Sequence, residues 1–579
     1  MSWEDAFKAR TDLARYGSNA IGLFAMALRF KLEDLDSVAA DGVVDGGDDK
    51  KCDIVYVDTE EKYAVIAQCY LSTSPTKRAA SANKASELNT AIAWLLDADL
   101  ASIPERLRPS AEALRAAISV GALDELFIWF SHNLPQSQNV EKELKTVQAA
   151  VQTKLDASSE SKKIKVEVLE IGCERLERWY SESLTPILVD ETFNIQTKGG
   201  FELSADHWSA VVTAVPASFL RTAYRKHKTD LFSANVRDYL GARRSDTNIN
   251  NGIIQTASQE GSNFWAYNNG VTVLVNDFSF DSASSKLTIS GASIVNGAQT
   301  TGALGSVNES LSNVWVPARF IKTLDSDVVT SVIRFNNSQN KVTAADFRST
   351  DKTQRRLREE MESIPAAEYE GGRRGGGEAV IRRRKGLLPA YTVGQALAAL
   401  HLDPVAAYNE KSEIWANDRL YAQFFNEQTS ARHIIFAISL LRAIEDRKFS
   451  LAEKAKTSQE ELTSSESQQL QYFRNRGAIF LSCSGISSCL EIILGKKVHA
   501  LWRLSFGPST TPDRAKTYWE PIIRTISPLL PRLEIALKDG LKNRATIREA
   551  LLTFASLVEA TATGNADIYR KFRKVVVVA

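Results

Sequence analysis

The chain is poor in the residues that build redox or soft-metal centres. Its 579 residues include five cysteines, Cys52, Cys69, Cys173, Cys483 and Cys489, and no two stand as C-x-x-C. That excludes a disulfide framework or a thiolate metal site of the usual spacing, and an odd count suits a chain kept reduced in the cytoplasm. Excess charge is missing too. Lys and Arg number 71 against 70 Asp and Glu, a net charge of +1. No global field draws the chain to nucleic acid or membrane, so such binding has to come from local patches. No apolar run is long enough to span a bilayer. The stretch 21–27 is short and runs into Arg29 and Lys31, which reads as a buried helix. Met1-Ser2-Trp3-Glu4-Asp5 has no basic start followed by an apolar run, so no signal peptide is expected. There is no repeat of fixed period. Hydrophobic residues at 44% and charged residues at 24% exclude a disordered tail or a fibre and indicate a globular protein.

The length suggests roughly three or four domains. A helical pattern covers about residues 4–35. An acidic, glycine-bearing loop follows at 41–49. Two β-rich runs, Asp53-Ile54-Val55-Tyr56-Val57 and Tyr63-Ala64-Val65-Ile66-Ala67-Gln68-Cys69-Tyr70, are joined by a short polar stretch that reads as a hairpin. A helix is expected over 79–96. Strands at 126–130 and 164–171 flank a helix at 140–155. Alternation of this kind predicts an α/β layer fold. The region 193–395 reads as mixed α/β with many Asn and Gly punctuators, and 396–573 as mostly helical. Runs at 433–446, 487–494, 527–538 and 547–560 are the strongest helices, 458–469 a polar loop or surface helix, and Val575-Val576-Val577-Val578 a small strand or frayed end. The expected organisation is 1–175, 190–395 and 396–579.

The hairpin is similar to that of PD-(D/E)xK nucleases. Metal-dependent phosphodiester cleavage needs oxygen ligands for a hard cation and a positive group near the attacking water. In such nucleases an acid on one strand is followed, on the next, by Glu or Gln, one spacer and Lys. Asp53 and Gln68 occupy the first two places, but Tyr70 stands where the lysine would be. Down the next helix, Lys84, Leu88, Ala91 and Leu95 fall at i, i+4, i+7 and i+11. That puts Lys84 at the end of the stripe facing the sheet, as a substitute lysine or as a side chain snorkelling to solvent. Lys77 is the less well-placed alternative. Asp45, Asp48 and Asp49 are further ligand candidates, or simply a solvated Gly/Asp turn. Glu33 is a further acid, or an exposed carboxylate at a helix end.

Three Asn-rich segments mark the middle. They are Phe264-Trp265-Ala266-Tyr267-Asn268-Asn269-Gly270-Val271-Thr272, Ile294-Val295-Asn296-Gly297-Ala298-Gln299-Thr300-Thr301 and Arg334-Phe335-Asn336-Asn337-Ser338-Gln339-Asn340. The second reads as strand, tight turn and helix start, with Thr300 or Thr301 as N-cap and free N–H groups able to hold a phosphate. Amides can read a base edge or lock a loop. Together the segments resemble the signature of the AIPR (abortive-infection phage-resistance) family of bacterial proteins: F-W-x-Y-N-N-G-[IV]-T, I-V-N-G-x-Q-T and N-N-x-Q-N, in that order. The run from Leu231-Phe232 to Tyr239-Leu240 and the later Tyr369-Glu370 and Gln395-Ala396-Leu397 fit the same pattern, so the resemblance covers about 193–425. It implies an AIPR core between the nuclease-like N-terminal domain and the helical C-terminal region.

Between residues 371 and 385 stand Arg373, Arg374, Arg382, Arg383, Arg384 and Lys385 against Glu378, six positive minus one negative, or +5, among five glycines. A flexible basic loop neutralises phosphates, or is only a solvated surface. The expectation is a cytoplasmic anti-phage nuclease. Mg²⁺ would be held by Asp53 and Gln68, with Lys84 near the attacking water. Nucleic acid, DNA or RNA, would be held by Asn268, Asn269, Asn296, Gln299, Arg334, Asn336, Asn337 and the arginine loop, with Trp265 and Tyr267 as stacking faces. The alternative is an inactive nucleic-acid-binding sensor or scaffold. A second copy of the chain and an operon-encoded defence protein are the other partners expected; a membrane is not.

Overall fold

The computed structural model describes residues 2–44, 49–73, 79–157, 164–184, 187, 189–228, 231–232, 244–323, 325, 328–329, 331–333, 348, 351–369, 371, 386–456 and 462–578. They fall into two compact units. The first combines Met1–Glu177 with Thr343–Gly375 and Ala379–Ala579; the second is essentially Arg178–Val342. The stretches read from the sequence do not map one to one onto these units, since the first and third lie in the same one.

In the first unit the helical pattern at 4–35 resolves into α1 (Trp3–Ala9), a 3₁₀ turn (Thr11–Tyr16), α2 (Asn19–Phe30) and the start of α3 (Leu35–Gly42). The breaks have local causes. Gly17 takes φ 57, and Asp34 caps α3 by accepting from the Ser37 N–H. Strands β1 (Ile54–Asp58) and β2 (Tyr63–Tyr70) form the hairpin. The helix after it is interrupted: α4 (Ala82–Ser86), α5 (Leu88–Ile92) and a π turn to Asp97. Then follow α6 (Arg108–Ser119), β3 (Glu125–His132), α7 (Gln138–Ala157), β4 (Lys165–Ile171) and α8 (Cys173–Leu184), which leads out of the unit. The sheet order is β1-β2-β3-β4, with β1 antiparallel to β2 and the others parallel. Both faces are covered, so the strands are apolar almost throughout. On one face α2 lies close because it carries Gly22: a Cβ there would be 2.5 Å from the Cys69 sulfur and 2.9 Å from Ile54. On the other, Val55, Val57, Ala64, Ile66, Leu126, Ile128 and Phe130 form one core with the buried sides of α4 to α7.

The rest of this unit is helical around the long helix Ala431–Lys456 and the helices Ala390–Leu400, Ala478–Ser488 and Pro512–Ile526, which share one core. The polar stretch near 458–469 contributes the start of helix Ser464–Arg474, closed by a Thr463/Glu466 capping box. The C-terminal valines form a short strand, Val576–Val578, against Leu504–Phe506. Buried ions tie the N-terminal elements to these helices. Arg442 bonds Asp34 (2.8 Å) and Glu445 (2.7 Å), Lys411 bonds Asp58 (2.6 Å), and Arg476 pairs with Asp41.

The second unit is a seven-stranded sheet from β5 (Val189–Gln196), β6 (Gly200–Ala205), β7 (Trp208–Pro216), β8 (Val271–Val275), β9 (Asp277–Asp281), β10 (Lys286–Asn296) and β11 (Trp315–Lys322), in the order β5-β10-β8-β11-β7-β6 with β9 on β10. Helices α9 (Ala217–His227), α10 (Arg244–Gln259), α11 (Phe264–Tyr267) and α12 (Ala298–Ser306) complete it. No helix among the described residues is long and apolar enough to cross a membrane.

Candidate functional site

Asp53 immediately precedes β1. Its N–H donates to the Ala67 carbonyl (2.9 Å) and its carbonyl accepts from Val44 N–H (2.9 Å). Continuing the register Ile54↔Ala67 by one step sets Asp53 across from Gln68. Asp53 shares the alternation of Val55 and Val57, and Gln68 that of Ala64 and Ile66, so both belong to the face packed on α4 to α7. One Asp53 carboxylate oxygen accepts the Cys69 N–H at 2.7 Å, standing in for a ladder carbonyl at the strand end. Burial raises the Asp53 pKa to about 6; the Cys69 bond opposes this, Asp49 adds to it, and Lys456 and Lys51 oppose it.

Gln68 is buried and its two amide ends differ. Nε2 donates to a Glu87 carboxylate oxygen at 3.0 Å, while Oε1 is buried with no partner. Glu87 sits at the junction of α4 and α5 and also pairs with the Lys51 ammonium at 3.4 Å. Sequence reasoning missed Glu87. The available signal was its place one helical turn after Lys84, at the start of the buried stripe.

Leu88, Ala91 and Leu95 are fully buried, and Lys84 is half-buried at the head of that stripe. Its ammonium lies 3.5 Å from the centre of the Tyr70 ring. The Lys84 cation therefore rests on the face of Tyr70, a cation–π contact that also covers the ring. Asp49 spends its side chain locally, accepting from Lys51 N–H at 2.8 Å, and Glu33 lies between α2 and α3, half-buried. Asp45, Asp48 and Lys77 lie outside the described residues.

A hard cation needs oxygen donors. Asp53, Gln68 Oε1 and Glu87 are all oxygen, and the orphaned amide oxygen is the donor a cation would satisfy, so the residues fit Mg²⁺. Among the described residues no three His, Cys, Asp or Glu gather.

In the second unit the first two Asn-rich turns meet. Asn296 pairs with Thr272, which sets the end of β10 beside the start of β8. Gly297, at φ 94, approaches so closely that a Cβ would be 2.8 Å from the Gly270 carbonyl; Gly270, at φ 80, has the Pro317 carbonyl 2.3 Å from its own would-be Cβ. Asn268 locks the pair: its Oδ1 accepts from Gly270 N–H (2.9 Å) and its Nδ2 donates to Thr300 Oγ1 (3.2 Å). That is a loop-fixing role. Asn269, Asn296 and Gln299 are exposed beside it, as are Trp265 at 54% and Tyr267 at 65%. The N-cap of α12 is Gly297, with no side-chain cap. Thr300 and Thr301 are inside the helix, contrary to the expected cap, because the left-handed turn at Gly297 starts it three residues earlier; Thr301 Oγ1 bonds back to the Gly297 carbonyl (3.0 Å). Arg334, Asn336, Asn337 and Gln339 of the third segment, and Arg373, Arg374, Arg382, Arg383 and Arg384, lie outside the described residues.

A family model described as AIPR protein matches residues 232–563, more than half of the chain and further into the helical region than the resemblance at 193–425 reached. No curated protein and no solved structure matches.

Proposed function

The chain belongs to the AIPR family, which implies a part in abortive-infection phage resistance, and from that premise we propose that its hairpin site hydrolyses phosphodiester bonds in nucleic acid. The observation that carries the proposal is the buried, unpartnered Gln68 Oε1 set across the strand pair from Asp53. Such a group costs free energy that a purely structural site would avoid. Mg²⁺ held by Asp53 and Gln68 would supply an activated water and offset charge on the phosphate. Lys84, seated on Tyr70, would supply the cation that the attacking water and the phosphate oxygens need. On the second unit Trp265 and Tyr267 would offer nucleic acid stacking faces and Asn269, Asn296 and Gln299 amides, and Arg373, Arg374, Arg382, Arg383 and Arg384 would add charge. The protein acts in the cytoplasm, and a second copy or an operon-encoded partner completes the defence complex.

A second reading, an inactive nucleic-acid sensor or scaffold, is favoured by Tyr70 in place of the strand lysine. One experiment separates the two. The full chain is incubated with ssDNA, dsDNA and RNA in Mg²⁺, Mn²⁺ or EDTA, beside Asp53→Asn. Cleavage that needs metal and is lost in Asp53→Asn is the expected result. Binding without cleavage in any metal selects the sensor.

A further inference from the structure

A divalent cation between Asp53 and Gln68 would meet a single formal negative charge, because Gln68 is neutral. The missing charge stands beside it. Gln68 Nε2 donates to Glu87 at 3.0 Å, so the amide turns its nitrogen to that carboxylate and keeps its oxygen buried and unpartnered. Directly paired strand positions hold their Cβ atoms about 4.5–5.5 Å apart, so Asp53, Gln68 and Glu87 gather at one end of the sheet. The break between α4 and α5 brings Glu87 to this point, while Leu88 and Ala91 beyond it stay in the core.

We infer that Glu87 is the second carboxylate of the hairpin's cation site, supplied from the helix instead of the strand. This rests on the hydrolytic reading of the hairpin. Lys51, 3.4 Å from Glu87, is the positive charge that a bound dication displaces. The chemistry is that of a hard divalent cation on two carboxylates and one amide oxygen, with water completing its shell. Purely structural use of Glu87, as a brace between Lys51 and Gln68, is the rival.

Mn²⁺ is the probe, titrated into the full chain and followed by the paramagnetic resonance signal of the free ion, with thermal melting of each variant alongside. Wild type is expected to bind. Glu87→Gln is expected to weaken binding at least about 10- to 100-fold, since loss even of a group that only orients a metal's ligands costs that much. The double variant Gln68→Glu/Glu87→Gln, which returns the charge to the strand, is expected to recover most of it. If Glu87→Gln binds like wild type while Asp53→Asn does not, the inference on Glu87 is overturned and the hairpin reading stands. Loss in Glu87→Gln without recovery in the double variant, together with a lowered melting temperature, also overturns it in favour of the brace. If wild type binds no Mn²⁺, both readings fall.

Discussion

Tyr70 is the residue on which the proposed activity turns. A phenol cannot carry a fixed positive charge, yet its ring offers a seat for one, and Lys84 takes it. Lys84→Ala is therefore expected to lower the cleavage rate about 10²- to 10⁴-fold, the range of a positioned proton-handling or charge-stabilising group, with little change in strand affinity. A single-turnover assay at saturating nucleic acid checks it; an unchanged rate would remove Lys84 from the site. Asp53, Gln68 and the Lys84 stripe were legible in the sequence because strand alternation and helix spacing are local. Glu87 was not, since its partnership with Gln68 depends on an interrupted helix that no pattern announced. For Asn268 the sequence left a ligand contact and a loop-locking role open, and its side chain closes the turn. The same turns permit a stability test. Gly270→Ala and Gly297→Ala each place a Cβ at positive φ against backbone, and each is expected to cost at least about 1–3 kcal/mol. Urea unfolding of the purified variants measures this.

At the scale of elements, the hairpin and the strands that follow lie where the alternation put them, because β-branched runs bounded by polar turns have few other solutions. Helix ends were harder. The π turn after Ile92 and the start at Ala298 follow from packing and from a left-handed glycine, which periodicity does not report. Two helices also meet through a histidine pair. His433 Nδ1–H donates to the Leu504 carbonyl (2.9 Å), so its Nε2 accepts from His401 Nε2–H (2.9 Å), and Trp502 stacks on His401. Burial, with the neighbouring His433, lowers the His401 pKa to about 2, and burial lowers that of His433 to about 4. Depressed histidines stabilise the fold above their unfolded value near 6.5, and that contribution is lost as the pH falls toward the folded values. The slope is at most about 1.4 kcal/mol per pH unit for each. Glu445, raised to about 7 by burial, and Asp53 act in the opposite sense, losing their contribution as the pH rises through 6 to 7. The histidine part is thus read as the difference between wild type and His401→Gln in denaturation midpoints at pH 7, 6, 5 and 4. The gap is expected to narrow steadily with acid.

On the scale of the molecule, the sequence marked segments but could not say which would share a core. Hydrophobic periodicity shows that a face is apolar, not which distant face covers it. Among the long-range ties between the N-terminal elements and the C-terminal helices are three charged pairs, Asp34 to Arg442, Asp58 to Lys411 and Asp41 to Arg476. Removing one partner leaves the other buried and unpaired. Arg442→Ala, which takes the partner from both Asp34 and Glu445, is expected to cost about 3–5 kcal/mol, whereas Lys145→Ala at the exposed Glu141–Lys145 pair should cost only a small fraction of that. Melting followed by calorimetry checks the order; equal losses would show that these groups are effectively solvated. The arginine loop makes a separate claim. Replacing Arg373, Arg374, Arg382, Arg383 and Arg384 by Ala is expected to flatten the log–log salt dependence of duplex binding by several units, at about 0.9 per phosphate contact. An unchanged slope in filter binding would make the loop a bystander.

The return of the chain to its first unit has a consequence for synthesis in the cell. The partners of Asp34, Asp41 and Asp58 are residues 442, 476 and 411, so a ribosome has to finish the whole second unit before the hairpin's supports exist. Until then Asp34, Asp41 and Asp58 have no counter-charge, and the surfaces that the C-terminal helices cover stay open to water. On the hydrolytic reading proposed above, a site arranged in this way would be harmless while it is being made and would become competent at a late moment, when nearly the full chain has emerged. Arrested nascent chains ending near residue 400 are expected to be protease-sensitive at the hairpin, and chains released at full length resistant. Quality control of a potentially lethal activity would then be written into the order of translation.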